Sequence, residues 1–242
     1  TLDVERLQVE EAKEKLDYVG ETISLLRNEL AGEKALLGFC GSPWTLACYA
    51  IDGGSAEGFP RTMRFAKERP EALGLLLEKF TMVIIDYSKL QISSGADAIQ
   101  IFDTWGRLCP DELFEEWSLR WIRKITHKLG DEVPIILYSQ GSTHRLKAMT
   151  DTGVDCLGLD HSLELAEAKC SLDLNLAVQG NLDPGLLDQR PQAVVSAARN
   201  LLARMSPHPG HVFNLGHGIR PTAKIECVEA LVETVSKHSN QN

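Results

Sequence analysis

Short apolar runs bounded by Gly, Asp or Pro recur along the chain, separated by longer stretches in which apolar residues return every three or four positions. The short runs have the length and flanks of buried strands, and the longer stretches have the period of helices packed by one face. Six strands are predicted, at 35–39, 98–103, 133–139, 156–160, 176–180 and 211–215. Helices are predicted over 4–30, 60–94, 110–129, 143–151, 162–168, 190–205 and 222–238. In the first of these, Leu7, Ala12, Leu16, Val19, Ile23, Leu26 and Leu30 share one broad face. The second should break near Pro70, because proline suits a first helical turn and not a helix interior. Ser162 and Thr222 are predicted N-caps. Residues 52–60, with Gly53, Gly54, Gly58 and Pro60, read as a mobile loop.

Strands that alternate with helices run parallel and are joined by helical crossovers. Strands apolar along their whole length are covered on both faces. Two α/β architectures satisfy this pattern, a doubly wound open sheet and a (β/α) barrel. The string after the first strand, Gly38-Phe-Cys-Gly-Ser-Pro, is not a dinucleotide fingerprint, and no phosphate P-loop is present. A barrel closes with eight strands. Six strands therefore suggest either a barrel lacking its first two strand–helix units or an open six-stranded sheet.

Composition narrows the function. Of 242 residues, 43% are hydrophobic and 24% charged, ordinary for a globular chain, and the formal net charge is −9. That acidity argues against nucleic-acid or anionic-membrane partners, which need clustered Lys and Arg. No apolar run approaches the roughly 18 residues of a membrane span. The first thirty residues are charged and helical in period, unlike a secretory signal. The chain begins at Thr1 and not at Met, so an upstream segment is expected to be missing. Six cysteines show neither Cys-x-x-Cys nor zinc spacing and are expected to be small buried hydrophobes in a reducing compartment.

In both architectures ligands bind at the carboxyl ends of the strands. The segments there are Cys40-Gly41-Ser42-Pro43-Trp44-Thr45 with Tyr49, Asp103-Thr104-Trp105-Gly106, Ser139-Gln140-Gly141, Asp160-His161, Gln179 to Pro184, and Asn214 to Gly218. Pro43 and Trp44 read as turn geometry and packing. Asn181, Asp183 and Pro184 read as a turn that caps the next helix. Asp103, Asp160 and Asp183 are of a type able to do acid–base chemistry, although Asp at a loop start more often caps a helix. Tyr49 on spacing alone reads as a core tyrosine, and Thr104 is ambiguous. His217, between Gly216 and Gly218, is the residue whose position favours contact with a ligand. Arg120, Arg123, Lys124, His127 and Lys128 recur at helical spacing and read as a solvated face.

Longer strings are more specific. Gly38-Phe-Cys-Gly-Ser-Pro-Trp-Thr-Leu with Tyr49 and Gly53-Gly54, Gln100-Ile-Phe-Asp-Thr-Trp-Gly106, Gln179-Gly-Asn-Leu-Asp-Pro184 and Asn214-Leu-Gly-His-Gly218 resemble, in order and spacing, the signatures of the uroporphyrinogen decarboxylase family. The resemblance implies the (β/α)8 TIM-barrel family, with residues 1–242 forming one barrel domain that supplies about six of the eight strand–helix units. It implies a cofactor-independent, metal-independent carboxy-lyase of tetrapyrrole (heme or chlorophyll) synthesis, acting on uroporphyrinogen III to give coproporphyrinogen III. By position, Tyr49, Thr104 and His217 resemble the family's substrate contacts, and Phe39 and Phe102 its apolar cleft wall. The family's catalytic Asp and substrate-binding arginines are expected upstream of Thr1, so the chain by itself is expected to be inactive. The resemblance also implies a homodimer in the full-length form and a cytoplasmic or plastid location, without nucleic-acid or membrane partners. The rival enzymatic reading is a zinc-dependent corrinoid methyltransferase of the same superfamily. A non-enzymatic rival is a barrel fragment that acts as an interaction module through an exposed sheet edge.

Overall fold

In the computed structural model, which describes residues 2–9 and 12–239, the chain divides after Val154 into two compact units. The first holds α1 (Leu2–Arg6), α2 (Ala12–Leu30), β1 (Leu37–Gly41), α3 (Pro43–Asp52), α4 (Pro60–Glu68), α5 (Pro70–Ser93), β2 (Ala98–Phe102), α6 (Arg120–Leu129), β3 (Ile135–Tyr138) and α7 (Leu146–Thr150). Its three strands are parallel, with Cys40 opposite Ile101 and Ile101 opposite Leu137. Ile99, Ile101 and Leu137 are fully buried, as expected of strands covered on both faces. β1 differs, since Gly38 and Cys40 are buried while Leu37 and Phe39 are exposed.

Proline sets several helix starts. Pro43, Pro60 and Pro70 each occupy the first turn of their helix, so the stretch predicted at 60–94 is two helices that divide at Pro70. Pro43 and Trp44, read from sequence as a turn, instead open α3. Ser42 caps that helix by accepting from the Thr45 amide at 3.1 Å, and Gly53 closes it in the left-handed conformation at φ 83°. The stretch predicted at 110–129 begins with a 3-10 turn at Asp111–Leu113 and a π turn at Glu115–Leu119 before α6. The predicted helix over 4–30 is α1 and α2, with residues 10 and 11 outside the described residues.

The second unit holds β4 (Cys156–Gly158), α8 (Leu165–Cys170), β5 (Ala177–Leu182), α9 (Pro191–Met205), β6 (His211–Leu215) and α10 (Ile225–Ser239). Its strands are also parallel, with Cys156 opposite Ala177 and Val178 opposite His211. Leu182, Leu187, Val194, Ala198, Cys227 and Leu231 form the core between β5, α9 and α10. Neither predicted N-cap is one. Ser162 donates from both its amide and its hydroxyl to Asp160, and α8 begins three residues later. Thr222 donates to Asp188 at 2.8 Å, and α10 begins at Ile225.

All six cysteines are free thiols, and only Cys170 is exposed. Burial pushes the Cys40 and Cys156 thiols up to about 12, which removes them as thiolate nucleophiles or ligands at neutral pH. Among the described residues no helix is long and apolar enough to cross a membrane.

Lys169, 2% exposed, donates from Nζ to the carbonyls of Asp173, Leu174 and Leu176 at 3.2, 2.9 and 2.5 Å. The ammonium satisfies three carbonyls where the chain turns from α8 into β5. Lys169→Met keeps the apolar stem and strands those acceptors. Unfolding free energy should fall by about 2–3 kcal/mol, the value of charge-assisted bonds whose partners are left unpaired. Urea denaturation measures this, and a change within 0.5 kcal/mol would show that the carbonyls find solvent instead.

Candidate functional site

At the carboxyl end of β2, Asp103 has no exposed surface. Its Oδ1 accepts from the Ser42 hydroxyl at 2.6 Å, and its Oδ2 accepts from Ser118 at 2.9 Å and Ser139 at 3.1 Å. With its proton given to Asp103, Ser139 Oγ accepts from the Ser142 hydroxyl at 2.9 Å. Ser42 follows β1, Ser139 follows β3 and Ser118 lies in the π turn before α6. One carboxyl group therefore ties together the loops after three adjacent strands. A Cβ on Gly106 would collide with that carboxyl and lie 2.5 Å from the Ser139 hydroxyl, so glycine is required there. Arg145 holds the same loop from outside, donating to the carbonyls of Gly106 and Cys109 and pairing with Asp111. Burial pushes the Asp103 carboxyl above its ordinary range, against the opposing effect of the three hydroxyls and Arg145.

Four of the five residues singled out from sequence stand on this framework. Phe39 is 60% exposed and meets Phe102 edge-on with ring centroids 6.0 Å apart. Phe102 in turn meets Tyr138 at 5.9 Å. Tyr49 lies seven residues beyond the Ser42 cap, on α3, and is 36% exposed, so it is not the core tyrosine that its spacing suggested. Its ring meets Phe59 at 5.8 Å and Trp105 at 6.3 Å, and those two meet at 4.8 Å with their planes tilted by 57°. Phe59 is fully buried at the end of the glycine-containing loop and adopts φ 47°, which anchors that loop to Trp105. Thr104 is half-buried beside Trp105 in the chain. Among the described residues, no protein group hydrogen-bonds the hydroxyl of Tyr49 or of Thr104.

His217 belongs to the second unit, where β6 ends. The Gly216 amide donates to Leu182 O at 2.7 Å, and a Cβ on Gly216 would lie 2.5 Å from the His161 amide nitrogen, so the backbones pass too closely for any side chain. His217 is exposed, and its Nδ1 accepts from the Gly218 amide at 2.7 Å. An N–H directed at Nδ1 needs the lone pair there, so the neutral ring carries its proton on Nε2. Asp183 caps a turn as the sequence suggested, whereas Asn181 lies inside β5 and not in that turn. Asn181 donates to Asp160 O and Leu163 O, and Asp183 accepts from the Gly185 amide at the start of a 3-10 turn. The basic stretch on α6 is a solvated face, with Arg123 paired to Glu115 and Lys124 to Glu78. Among the described residues, no group of three or more His, Cys, Asp or Glu converges as a metal site.

Strand–helix units in parallel order, with hydroxyl, imidazole and aromatic groups at the carboxyl ends of the strands, define an α/β protein of the TIM-barrel family. The fold is shared with a methyltransferase from Methanosarcina mazei, at a TM-score of 0.78 and 22% identity, covering 91% of this chain and 64% of that one. The uroporphyrinogen decarboxylase (URO-D) family model matches residues 1–238. Curated relatives named uroporphyrinogen decarboxylase include one from Azoarcus sp. (strain BH72), 38% identical over 99% of this chain and 68% of its own length. Another, from Pseudomonas fluorescens, is 40% identical over 99% of this chain and 69% of its own. The chain belongs to the uroporphyrinogen decarboxylase family.

The buried carboxyl has a measurable signature. Because folding raises the Asp103 pKa, the folded state retains a proton that the unfolded state releases as pH rises through the ordinary carboxylate range. The group's contribution is therefore fully present below the unfolded pKa and is lost as pH rises through the folded one. Asp103→Asn does not titrate. Relative to the parent, its stability should improve steadily with pH across that window in urea titrations at a series of pH values. Parallel curves for the two proteins would show that Asp103 titrates alike in both states.

Proposed function

We propose that this chain carries the substrate-binding strand ends of a uroporphyrinogen decarboxylase. On this reading the protein converts uroporphyrinogen III to coproporphyrinogen III by removing four acetate carboxyls, without a cofactor. The observation that carries the reading is the family match along residues 1–238. It is a proposal for the whole activity, since the chain spans 68–69% of the relatives' length. The likeness to a methyltransferase supports the fold and no particular chemistry.

The residue types suit the reaction. Loss of carbon dioxide from an acetate arm needs a place for the electron pair, and a pyrrole ring protonated on carbon provides one. The protein must hold several carboxylate arms while the ring reacts. Tyr49 and Thr104 offer hydroxyl donors that no other described residue engages, and His217 adds an exposed imidazole. Phe39 and Phe102 offer an apolar wall for the macrocycle. Donors fixed before the ligand arrives lose little by reorganising during the reaction. A net charge of −9 works against a substrate with eight carboxylates, so the 242 residues assayed alone are expected to be inactive.

The test is anaerobic incubation of the protein expressed from its own gene with uroporphyrinogen III, resolving products by carboxylate number. Coproporphyrinogen is expected, and unchanged substrate would overturn the reading. Tyr49→Phe and His217→Asn should each lower kcat/KM by about 10- to 100-fold, as loss of a hydrogen bond to a charged group requires. Wild-type values in both variants would remove those two residues from the site.

A further inference from the structure

Hydroxyls and an aromatic wall do not neutralise a polyanion, and the first unit places a cation close to Thr104 and Tyr49. Arg107 lies in the short 3-10 turn Gly106–Leu108, three residues beyond Thr104, and is exposed. Its guanidinium carbon sits over the Trp105 ring, 5.3 Å from the centroid. Its stem runs beside the loop after β3, where a Cβ on Gly141 would lie 3.2 Å from Arg107 Cβ and 3.3 Å from Cδ. Tyr49 meets the same Trp105 ring edge-on. Three other arginines of this unit are held by carboxylates, Arg27 by Asp97, Arg123 by Glu115 and Arg145 by Asp111, and Arg120 lies away on α6. Arg107 has no hydrogen-bond or carboxylate partner among the described residues.

We propose that Arg107 is a substrate-binding residue that takes one carboxylate arm of the tetrapyrrole, beside the arm held by Tyr49. The inference rests on the decarboxylase reading. A guanidinium laid on an indole keeps its N–H fork at the rim, aimed away from the ring face, and that fork matches a carboxylate with two parallel hydrogen bonds. Stacking also restrains a long side chain before binding, so less freedom is lost when the arm docks. Arg107 would then grip an arm and leave the reacting ring carbon to other groups, so its effect falls on binding.

The experiment compares wild-type protein from its own gene with Arg107→Gln, Arg107→Lys and Arg120→Gln. The last is a control, because Arg120 also lies over a tryptophan, 4.6 Å from the Trp121 centroid, but on α6. Arg107→Gln should raise KM for uroporphyrinogen about 10-fold with kcat within about 2-fold, as loss of one charged bidentate contact implies. Its KM should also depend less steeply on sodium chloride. Arg107→Lys, with charge but no fork, should fall between, and Arg120→Gln should match wild type. Direct titration with uroporphyrin, followed by fluorescence quenching, reads the same contact without turnover and should show about 10-fold weaker binding for Arg107→Gln. Equal affinity for wild type and Arg107→Gln overturns the inference, whether or not turnover is seen. Failure of the wild-type protein to make coproporphyrinogen overturns the decarboxylase reading instead.

Discussion

The loops after β1, β2 and β3 are held in one arrangement by the buried carboxyl of Asp103. Its three hydroxyl bonds reach Ser42, Ser118 and Ser139, residues far apart in sequence. Each partner governs something larger than itself. Ser42 caps α3 and so fixes the helix that carries Tyr49. Ser139 ends β3 and bonds onward to Ser142. Ser118 lies in the π turn that re-aims the chain into α6, a distortion of the kind often found beside functional sites. Asp103 itself adjoins Thr104 and Trp105. Remove the carboxyl, and the elements that present Tyr49, Thr104 and Trp105 lose their common anchor.

A buried carboxyl is an expensive anchor. Isolated charge in a low-dielectric interior is heavily penalised, and an apolar plug of equal volume would serve stability as well or better. Hydrophobic contact is non-directional, however, whereas a carboxyl with three hydroxyl donors fixes both distance and angle. The surroundings show the same emphasis on geometry over burial. Gly106 leaves room for the carboxyl, and Arg145 pins the carbonyls of Gly106 and Cys109. Stability here is exchanged for precise placement of loops, as expected where small positional errors are costly to ligand binding.

Much of this was legible in the chain. β2 to β5 announced themselves because both of their faces are buried, leaving apolar runs such as Ile135–Tyr138, whereas β1 and β6 alternate in exposure. The helix boundary at Pro70 followed from the chemistry of proline. The positions of Phe39, Tyr49, Phe102, Thr104 and His217 at strand ends or on the following helix also followed from the strings they sit in. What stayed hidden depended on contacts across sequence. Pro43-Trp44 looks like a turn until Ser42 is seen capping α3. Ser162 and Thr222 look like caps until Asp160 and Asp188 are seen taking their hydroxyls. Asp103 resembles any loop-start aspartate in one dimension, and only the convergence of three serines distinguishes it. The contact of the Gly218 amide with His217 Nδ1 is likewise invisible in one dimension.

On the proposed function, the mixture of donors has its own logic. Four acetates are lost in turn, so each intermediate presents fewer charges than the last, and a site built wholly of cations would hold the early species far more tightly than the late ones. Neutral donors such as the hydroxyls of Tyr49 and Thr104 bind a carboxylate with less dependence on total charge. A single stacked guanidinium adds the long-range attraction that draws a polyanion toward an acidic protein. Trp105 links the two kinds of contact, since one ring touches both Tyr49 and Arg107. Its position is set in turn by Thr45, which accepts from its amide, and by the Trp44 indole, which donates to its carbonyl. Both of those residues lie on α3, the helix that Ser42 caps and Asp103 holds.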